Sequence, residues 1–123
     1  MIPINTTKAP AAIGPYNQAV LMNNLLFISG QLGLNIETGE LYTTFEEQAN
    51  LIFASLKNIL AEAGMNFTNV VKVTVYVKDM GKFPLLNNIY QQYFTAPFPA
   101  REVVQVSELP KSGDVEISLI AMK

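Results

Sequence analysis

The chain has 123 residues, of which 50% are apolar, and its 8 Lys plus Arg and 10 Asp plus Glu give a net charge of −2. A chain of this length buries roughly two-thirds of its unfolded surface. We therefore expect one domain over residues 1–123 that folds without disulfides or a structural metal. The acidic balance provides no general attraction for nucleic acid or for an anionic membrane, and neither is an expected partner.

The residue types that are absent exclude several kinds of catalytic and metal site. The sequence contains no Cys and no His, which excludes thiolate nucleophiles, Ser-His systems and the usual zinc and haem ligands. We therefore expect no metal site built on Cys or His ligands. Catalysis would have to use carboxylates, Tyr, Lys, backbone groups, water or Arg101, the only arginine in the chain.

No run of 18 apolar residues is present, and the N-terminal segment lacks a charged region followed by an apolar one. The sequence therefore predicts neither a transmembrane helix nor a secretion signal. We expect a cytoplasmic protein.

The first half of the chain predicts a hairpin and a helix. Two apolar runs, residues 18–22 and 25–31, flank Asn23 and Asn24, which suit a two-residue turn. Further on, Thr44 and Glu47 fit a capping box at the start of an amphipathic helix. That helix is expected to end near Gly64, because glycine is favoured just past a helix C-terminus.

The second half predicts a strand, a helix and two more strands. Residues 70–78 alternate between valine and polar side chains, which is typical of a half-buried strand. Apolar residues recur at helical spacing between Phe83 and Phe94, and residues 101–107 and 115–122 form apolar runs. The order ββαβαββ indicates an α+β sandwich with both helices on one face of the sheet.

That architecture leaves the other face of the sheet without a cover. It would carry residues too apolar to be wholly solvated, and a neighbouring subunit is the simplest cover. The expected open-face residues include Thr74, Tyr76, Ser118 and Ile120. Self-association therefore follows from the pattern.

Two charged residues stand out as candidates for chemistry. The guanidinium of Arg101 suits a carboxylate bidentately, the alternative being a surface salt bridge. Its neighbour Glu102 should project to the opposite face and need not neutralise it. Glu116 lies in a strongly apolar strand, where it either faces solvent or occupies a polar pocket in which it can take a proton from water.

Four further residues are weaker candidates. Tyr16 follows a Gly-Pro turn, Ser29 and Gly30 end an apolar strand, and Asn87 lies between the apolar stripes of the second helix. Each also has a structural explanation: aromatic packing, a strand-end turn and helix surface, respectively. None of them by itself establishes a site.

Taken together, several segments resemble the RidA/YjgF family of reactive-intermediate deaminases over almost the whole chain. The matching segments are APAAIGPY at 9–16, FISGQ at 27–31, TGE at 38–40, VVKVTVYVKDM at 70–80, the helix residues Phe83, Asn87, Tyr90, Tyr93 and Phe94, PAR at 99–101, LP at 109–110 and VEI at 115–117. The PAR, LP and VEI segments are the most specific.

The resemblance implies a chorismate-mutase-like fold assembled as a homotrimer, with ligand clefts between subunits. It also implies hydrolysis of 2-imino acids or their enamine tautomers, such as 2-aminoacrylate and 2-iminobutanoate, to 2-keto acids and ammonia. No cofactor is implied, and the expected partners are a small imino or keto acid and further copies of the chain.

The same resemblance assigns roles to residues. Arg101 would hold the substrate carboxylate and Glu116 would position or activate water. The cleft would be lined by Tyr16, Ser29, Gly30 and Asn87. Two positions depart from the family pattern: Val103, which shares a face with Arg101 and should narrow the cleft, and Glu102, where a small residue is common. Both departures bear on substrate size more than on the reaction.

Other functions are compatible with these residues. The chain could bind small carboxylates such as 2-keto acids without turnover, as a sensor. RNA cleavage has been ascribed to family members, but the acidic balance and the absence of His disfavour it.

The pairing of the last two strands affects the expected site. If they formed a simple hairpin, Glu116 would pair near Gln105, about 13 Å along the strand from Arg101. One small ligand would then reach both only if that pairing is wrong or if the cleft joins two subunits.

Overall fold

The computed structural model describes residues 1–123 and contains one six-stranded sheet with two α-helices. The strands are β1 (Ile2–Ile4), β2 (Ala19–Met22), β3 (Leu25–Leu32), β4 (Val70–Val77), β5 (Ala100–Gln105) and β6 (Val115–Met122), and the helices are α1 (Phe45–Glu62) and α2 (Phe83–Tyr90). The mixed α+β architecture is the one expected from the sequence.

Local chemistry explains where the first elements begin and end. Asn23 takes a φ of 54° in the turn between β2 and β3, a conformation that asparagine tolerates well. The side chain of Thr44 accepts a hydrogen bond from the backbone N–H of Glu47, whose carboxylate accepts from the Thr44 N–H in return. Gly64, with a φ of 72°, follows the end of α1. These three predictions are confirmed.

The strand order in the sheet is β1-β2-β3-β6-β4-β5. The last strand, β6, inserts between β3 and β4 and runs antiparallel to both, whereas β5 pairs with β4 in parallel. Because α2 forms the connection between β4 and β5, the chain returns to the sheet in the same direction, as helical crossovers do. A simple hairpin between β5 and β6 is therefore wrong.

Two other details differ from the sequence expectations. Strand β1 was not predicted, because it is only three residues long and contains Pro3, which is tolerated at a sheet edge. Helix α2 ends at Tyr90 and not near Phe94. The chain leaves the helix through a tight turn in which Tyr93 N–H donates to the Tyr90 carbonyl, and this turn still buries Phe94 in the core.

The core lies between one face of the sheet and the two helices. Alternating valines of β4 (Val73, Val75 and Val77) are fully buried on this side. Helix α1 contributes Ile52 and Leu56, also fully buried. Neither helix is sufficiently long and apolar to traverse a lipid bilayer.

The other face of the sheet carries no helix, as predicted. The Phe27 side chain on this face is 41% exposed, and Met22, Leu25 and Met122 beside it are exposed as well. The predicted open-face residues Thr74, Tyr76, Ser118 and Ile120 are half-buried in the single chain. We call this surface the open face.

Candidate functional site

Arg101 lies at the start of the edge strand β5, on the side of the sheet that the helices cover. It pairs in register with Val73 of β4, which is fully buried beneath the helices. Its guanidinium carbon lies 4.7 Å from the ring centroid of Tyr90 and 5.6 Å from that of Phe83, both in α2. These distances fall within the range of cation–π contacts.

The guanidinium has no acidic partner in the chain. The one ion pair present joins Lys72 to Glu102 at 2.8 Å, and both of these residues lie on the open face. Glu102 thus projects away from Arg101, as strand alternation predicts. A surface salt bridge is therefore not the explanation for Arg101, whose N–H donors remain available to a ligand.

A cleft of about 310 Å³ opens beside the guanidinium. It is lined by Asn87, Tyr90, Gln91, Phe98, Pro99 and Arg101. Phe98 is 61% exposed at this site, and no hydrogen bond from another side chain occupies the Asn87 amide. The cleft thus combines one cation and neutral amides with apolar walls, and we call it the arginine cleft.

Helix geometry explains why α2 supplies this lining. Phe83, Asn87 and Tyr90 are separated by four and three residues, so they share one face of the helix. Pro84 is accommodated in the first turn, where a helix does not need its N–H. The crossover from β4 to β5 then presents this face to the edge strand that carries Arg101.

Glu116 lies on β6, opposite Tyr76 of β4 and Leu32 of β3. Its side chain is half-buried and contacts Gly30 so closely that a Cβ atom on that glycine would overlap the carboxylate Oε1. Desolvation by burial raises the pKa of Glu116 above its ordinary value.

Tyr16 and Ser29 lie beside Gly30, the glycine that contacts this carboxylate, since Tyr16 lines a cleft with Gly30 and Ser29 precedes it in the chain. Tyr16 is 48% exposed and, with Gly30, lines a small cleft of about 30 Å³. Its hydroxyl accepts a hydrogen bond from the Ile13 N–H at 3.3 Å, and its own proton is free to donate. Ser29 donates its hydroxyl to the Asn17 carbonyl at 2.8 Å, so it also fixes the preceding loop. We call Tyr16, Ser29, Gly30 and Glu116 the glutamate patch.

Arg101 of the arginine cleft and Glu116 of the glutamate patch lie on opposite faces of the sheet. Arg101 and Glu116 pair with residues of β4 that are three apart, Val73 and Tyr76, and side chains three residues apart on a strand point to opposite sides. They are also displaced by about 10 Å along the strands and by about 10 Å across them. One small ligand cannot touch both groups of the same chain.

Comparison with known proteins identifies the family to which these features belong. The family model described as Endoribonuclease L-PSP matches residues 6–123. A Bos taurus protein named 2-iminobutanoate/2-iminopropanoate deaminase is 49% identical over 121 residues, covering 98% of this chain and 88% of the bovine protein. The chain belongs to the RidA/YjgF family.

Solved structures agree with this assignment. RidA from the Antarctic bacterium Psychrobacter sp. PAMC 21119 superposes with a TM-score of 0.97 at 44% identity, covering all of both chains. E. coli TdcF, crystallised with bound serine, superposes with a TM-score of 0.95 at 37% identity, covering 100% of this chain and 99% of TdcF. The sheet and both helices are therefore those of RidA proteins.

Within the RidA/YjgF fold of this chain, one candidate residue lies apart from both groups. Val103 shares the helix-covered side with Arg101, as alternation predicts, but it packs against the core and does not line the arginine cleft. From the sequence, Val103 was expected to narrow the cleft. Val103 lies two residues after Arg101 on β5, opposite the buried Val75, and its side chain therefore packs against the core.

Three aromatic residues near the Arg101 guanidinium were not predicted to belong to the site. Phe83 and Tyr90, which contact Arg101, were predicted only as residues of the second helix, and Phe98, which lines the cleft, was not predicted as a site residue. A usable signal was present, because Phe83 and Tyr90 flank Asn87 at helical spacing and must share its face. No group of three or more acidic side chains comes together as a possible metal site.

Proposed function

We propose that this protein hydrolyses 2-imino acids and their enamine tautomers, of the 2-aminoacrylate and 2-iminobutanoate type, to 2-keto acids and ammonia. The observation that carries the proposal is the arginine cleft, where the only guanidinium of the chain has no acidic partner. Such a cation, flanked by neutral amides and apolar walls, suits a small carboxylate with a short aliphatic side chain. The name of the 49%-identical bovine protein supports the same reaction.

The reaction needs little beyond positioning. Arg101 holds the carboxylate, and Glu116 accepts a proton from a water molecule whose oxygen forms a bond to the imine carbon. The imine nitrogen takes that proton from Glu116 as the C–O bond forms, which gives a neutral carbinolamine. Glu116 then accepts the hydroxyl proton of the carbinolamine and returns it to the nitrogen, the C–N bond breaks as the C=O bond forms, and ammonia leaves. Water and imine balance keto acid and ammonia, and no redox step is involved. The absence of a cofactor stays a prediction, as does the cytoplasmic location.

The catalytic unit in this proposal is a homotrimer with sites between subunits. Within one chain, Arg101 and Glu116 are on opposite faces of the sheet, so a ligand that meets both must lie where two chains join. The exposed apolar side chains of the open face also need a cover, and copies of the same chain provide one. A small-molecule imine is the only other partner that the proposal requires.

Placing a charge on the open face should disrupt this assembly. In Phe27→Asp, an exposed aromatic ring is replaced by a carboxylate that association would have to desolvate. We expect the wild-type chain to have the mass of a trimer in light scattering, and the variant to be mostly monomeric and inactive. Ala54→Asp, at an exposed position of α1, is the matched control and should stay trimeric. A monomeric wild-type protein with full activity would rule out the shared site.

Turnover itself can be measured with an imine made in the assay by a serine/threonine dehydratase. The purified protein should accelerate release of ammonia and 2-ketobutyrate beyond the spontaneous rate of imine hydrolysis. Saturable binding of 2-ketobutyrate without any acceleration would instead identify a carboxylate-binding sensor. Binding of RNA with a steep salt dependence would favour a nucleic-acid function, which the net charge of −2 does not support.

The contact between Gly30 and Glu116 leads to a further prediction. In Gly30→Ala, the added methyl group would occupy the position of the Glu116 carboxylate, and the flexible side chain would swing aside. A displaced base should lower kcat about 10- to 100-fold, because proton transfer depends on hydrogen-bond reach. The thermal midpoint should change little, since only the end of one side chain moves. Unchanged kcat would show that Glu116 acts from another position.

A further inference from the structure

We propose that the rings of Phe83 and Tyr90 form an aromatic seat that positions the Arg101 guanidinium for the substrate carboxylate. The inference rests on the proposed function and concerns how its anchor is held. The side chain of Arg101 makes no ion pair, and its guanidinium carbon lies 4.7 Å and 5.6 Å from the two ring centroids. Contact with the rings is thus the interaction within the chain that orients the charged group.

A seat made of rings suits an anion-binding arginine better than an acidic partner does. An aromatic ring attracts the guanidinium through its positive charge and does not pair with its N–H donors as a carboxylate does. A carboxylate partner would occupy two of those donors and cancel the charge. The aromatic seat therefore restricts the motion of Arg101 while leaving both its charge and its fork of donors to the ligand.

The seat is itself fixed by the core. Tyr90 is only 6% exposed, stacks on Phe94 with ring centroids 4.5 Å apart and meets Phe53 edge-on at 6.2 Å. Phe83 is half-buried at the start of α2, so it is the accessible member of the pair. The Tyr90 hydroxyl is buried without a hydrogen-bond partner, and the contribution of this residue to the seat is therefore its ring.

Substitutions that keep or remove the rings test the inference. Phe83→Leu keeps an apolar side chain but removes the π-face, whereas Phe83→Tyr and Tyr90→Phe keep it. For Phe83→Leu we expect KM and the Kd for 2-ketobutyrate to rise about three- to ten-fold, with a smaller change in kcat, because the anchor acts on bound substrate and transition state alike. The two ring-keeping variants should show a smaller rise in KM and Kd than Phe83→Leu does.

Two controls separate a seat from a general packing effect. Phe67→Leu removes another half-buried ring that belongs to the same aromatic cluster but does not contact Arg101, and it should leave KM unchanged. In an Arg101→Ala background, Phe83→Leu should cause no further loss of 2-ketobutyrate affinity, because the two side chains act as one unit.

The outcomes distinguish the inference from the function on which it rests. Equal KM and Kd values for Phe83→Leu and the wild type would overturn the aromatic seat while leaving deamination intact. The same losses in Phe67→Leu, or in the Arg101→Ala background, would also overturn it. If the wild-type chain neither binds 2-ketobutyrate nor accelerates imine hydrolysis, the proposed function fails and the role of the seat fails with it.

Discussion

Replacing Arg101 with alanine is expected to lower kcat/KM for dehydratase-generated imines about 100-fold or more. The variant loses a bidentate, charge-assisted contact to the carboxylate, and hydrogen bonds to charged groups contribute about 1.5–3 kcal/mol each. Since about 1.4 kcal/mol corresponds to a factor of ten, two such bonds account for at least a 100-fold effect. Arg101 is the only arginine of the chain, and no second guanidinium can replace it.

Ammonia release under limiting substrate is the measurement, with binding of 2-ketobutyrate as an independent readout. Arg101→Lys serves as the matched variant, because it keeps the charge but not the planar fork, and it should fall between the wild type and the alanine variant. Folding should be preserved, since Arg101 is half-buried at an edge strand and makes no ion pair. Rates for Arg101→Ala equal to the wild type would refute the assigned role.

The second large effect is expected at Glu116. Glu116→Gln keeps the shape of the side chain but removes the group that accepts a proton from water, and kcat should fall about 100- to 10,000-fold. The affinity for 2-ketobutyrate should change far less, because in the proposed mechanism Arg101 holds the carboxylate. A loss of affinity equal to the loss of kcat would instead indicate that Glu116 holds the ligand.

The pH dependence follows from the environment of the same carboxylate. Burial raises the pKa of Glu116 above its reference value of 4.5, and the base is the ionised form. Activity should therefore be full above the raised pKa and fall as the pH drops through it, at a higher pH than an ordinary glutamate would show. The Glu116→Gln variant should lose this acidic limb. Wild-type activity that is unchanged down to pH 4.5 would contradict the assignment.

The raised pKa also has a consequence for stability. In the folded chain Glu116 holds its proton more tightly than in the unfolded chain, so its contribution to stability is most favourable at low pH and declines as the pH rises through the folded pKa. At pH 7 the buried charge opposes folding. Glu116→Gln should consequently be at least as stable as the wild type at pH 7 while being nearly inactive. A loss of stability in return for activity is common at residues of active sites.

Local sequence patterns predicted the ends of one helix but not of the other. The capping box at Thr44 and Glu47 and the glycine at position 64 predicted both ends of α1, because these signals act within one turn of the helix. The end of α2 was misjudged by four residues. Burial of Phe94 continues the apolar spacing after the helical hydrogen bonds have ended, so periodicity alone could not mark the boundary.

The order of the strands in the sheet could not be predicted from the sequence, because strand pairing joins residues that are far apart in the chain. The alternation in β4 predicted that Val73, Val75 and Val77 share the helix-covered face, whereas Val71, predicted with them, is exposed beside a register shift. Nothing local indicated that β6 would insert between β3 and β4. The placement of Arg101 and Glu116 on opposite faces depends on that strand order, through their pairing with Val73 and Tyr76.

The amino-acid sequence by itself determined the elements other than β1, the two-layer arrangement and the residue types available for chemistry, because these depend on composition, spacing and short-range hydrogen bonds. Only the tertiary structure decided that Arg101 is seated on two rings without an acidic partner and that Glu116 is half-buried against Gly30. Contacts of this kind join residues distant in sequence, and their geometry exists only once the sheet has assembled and the side chains have packed.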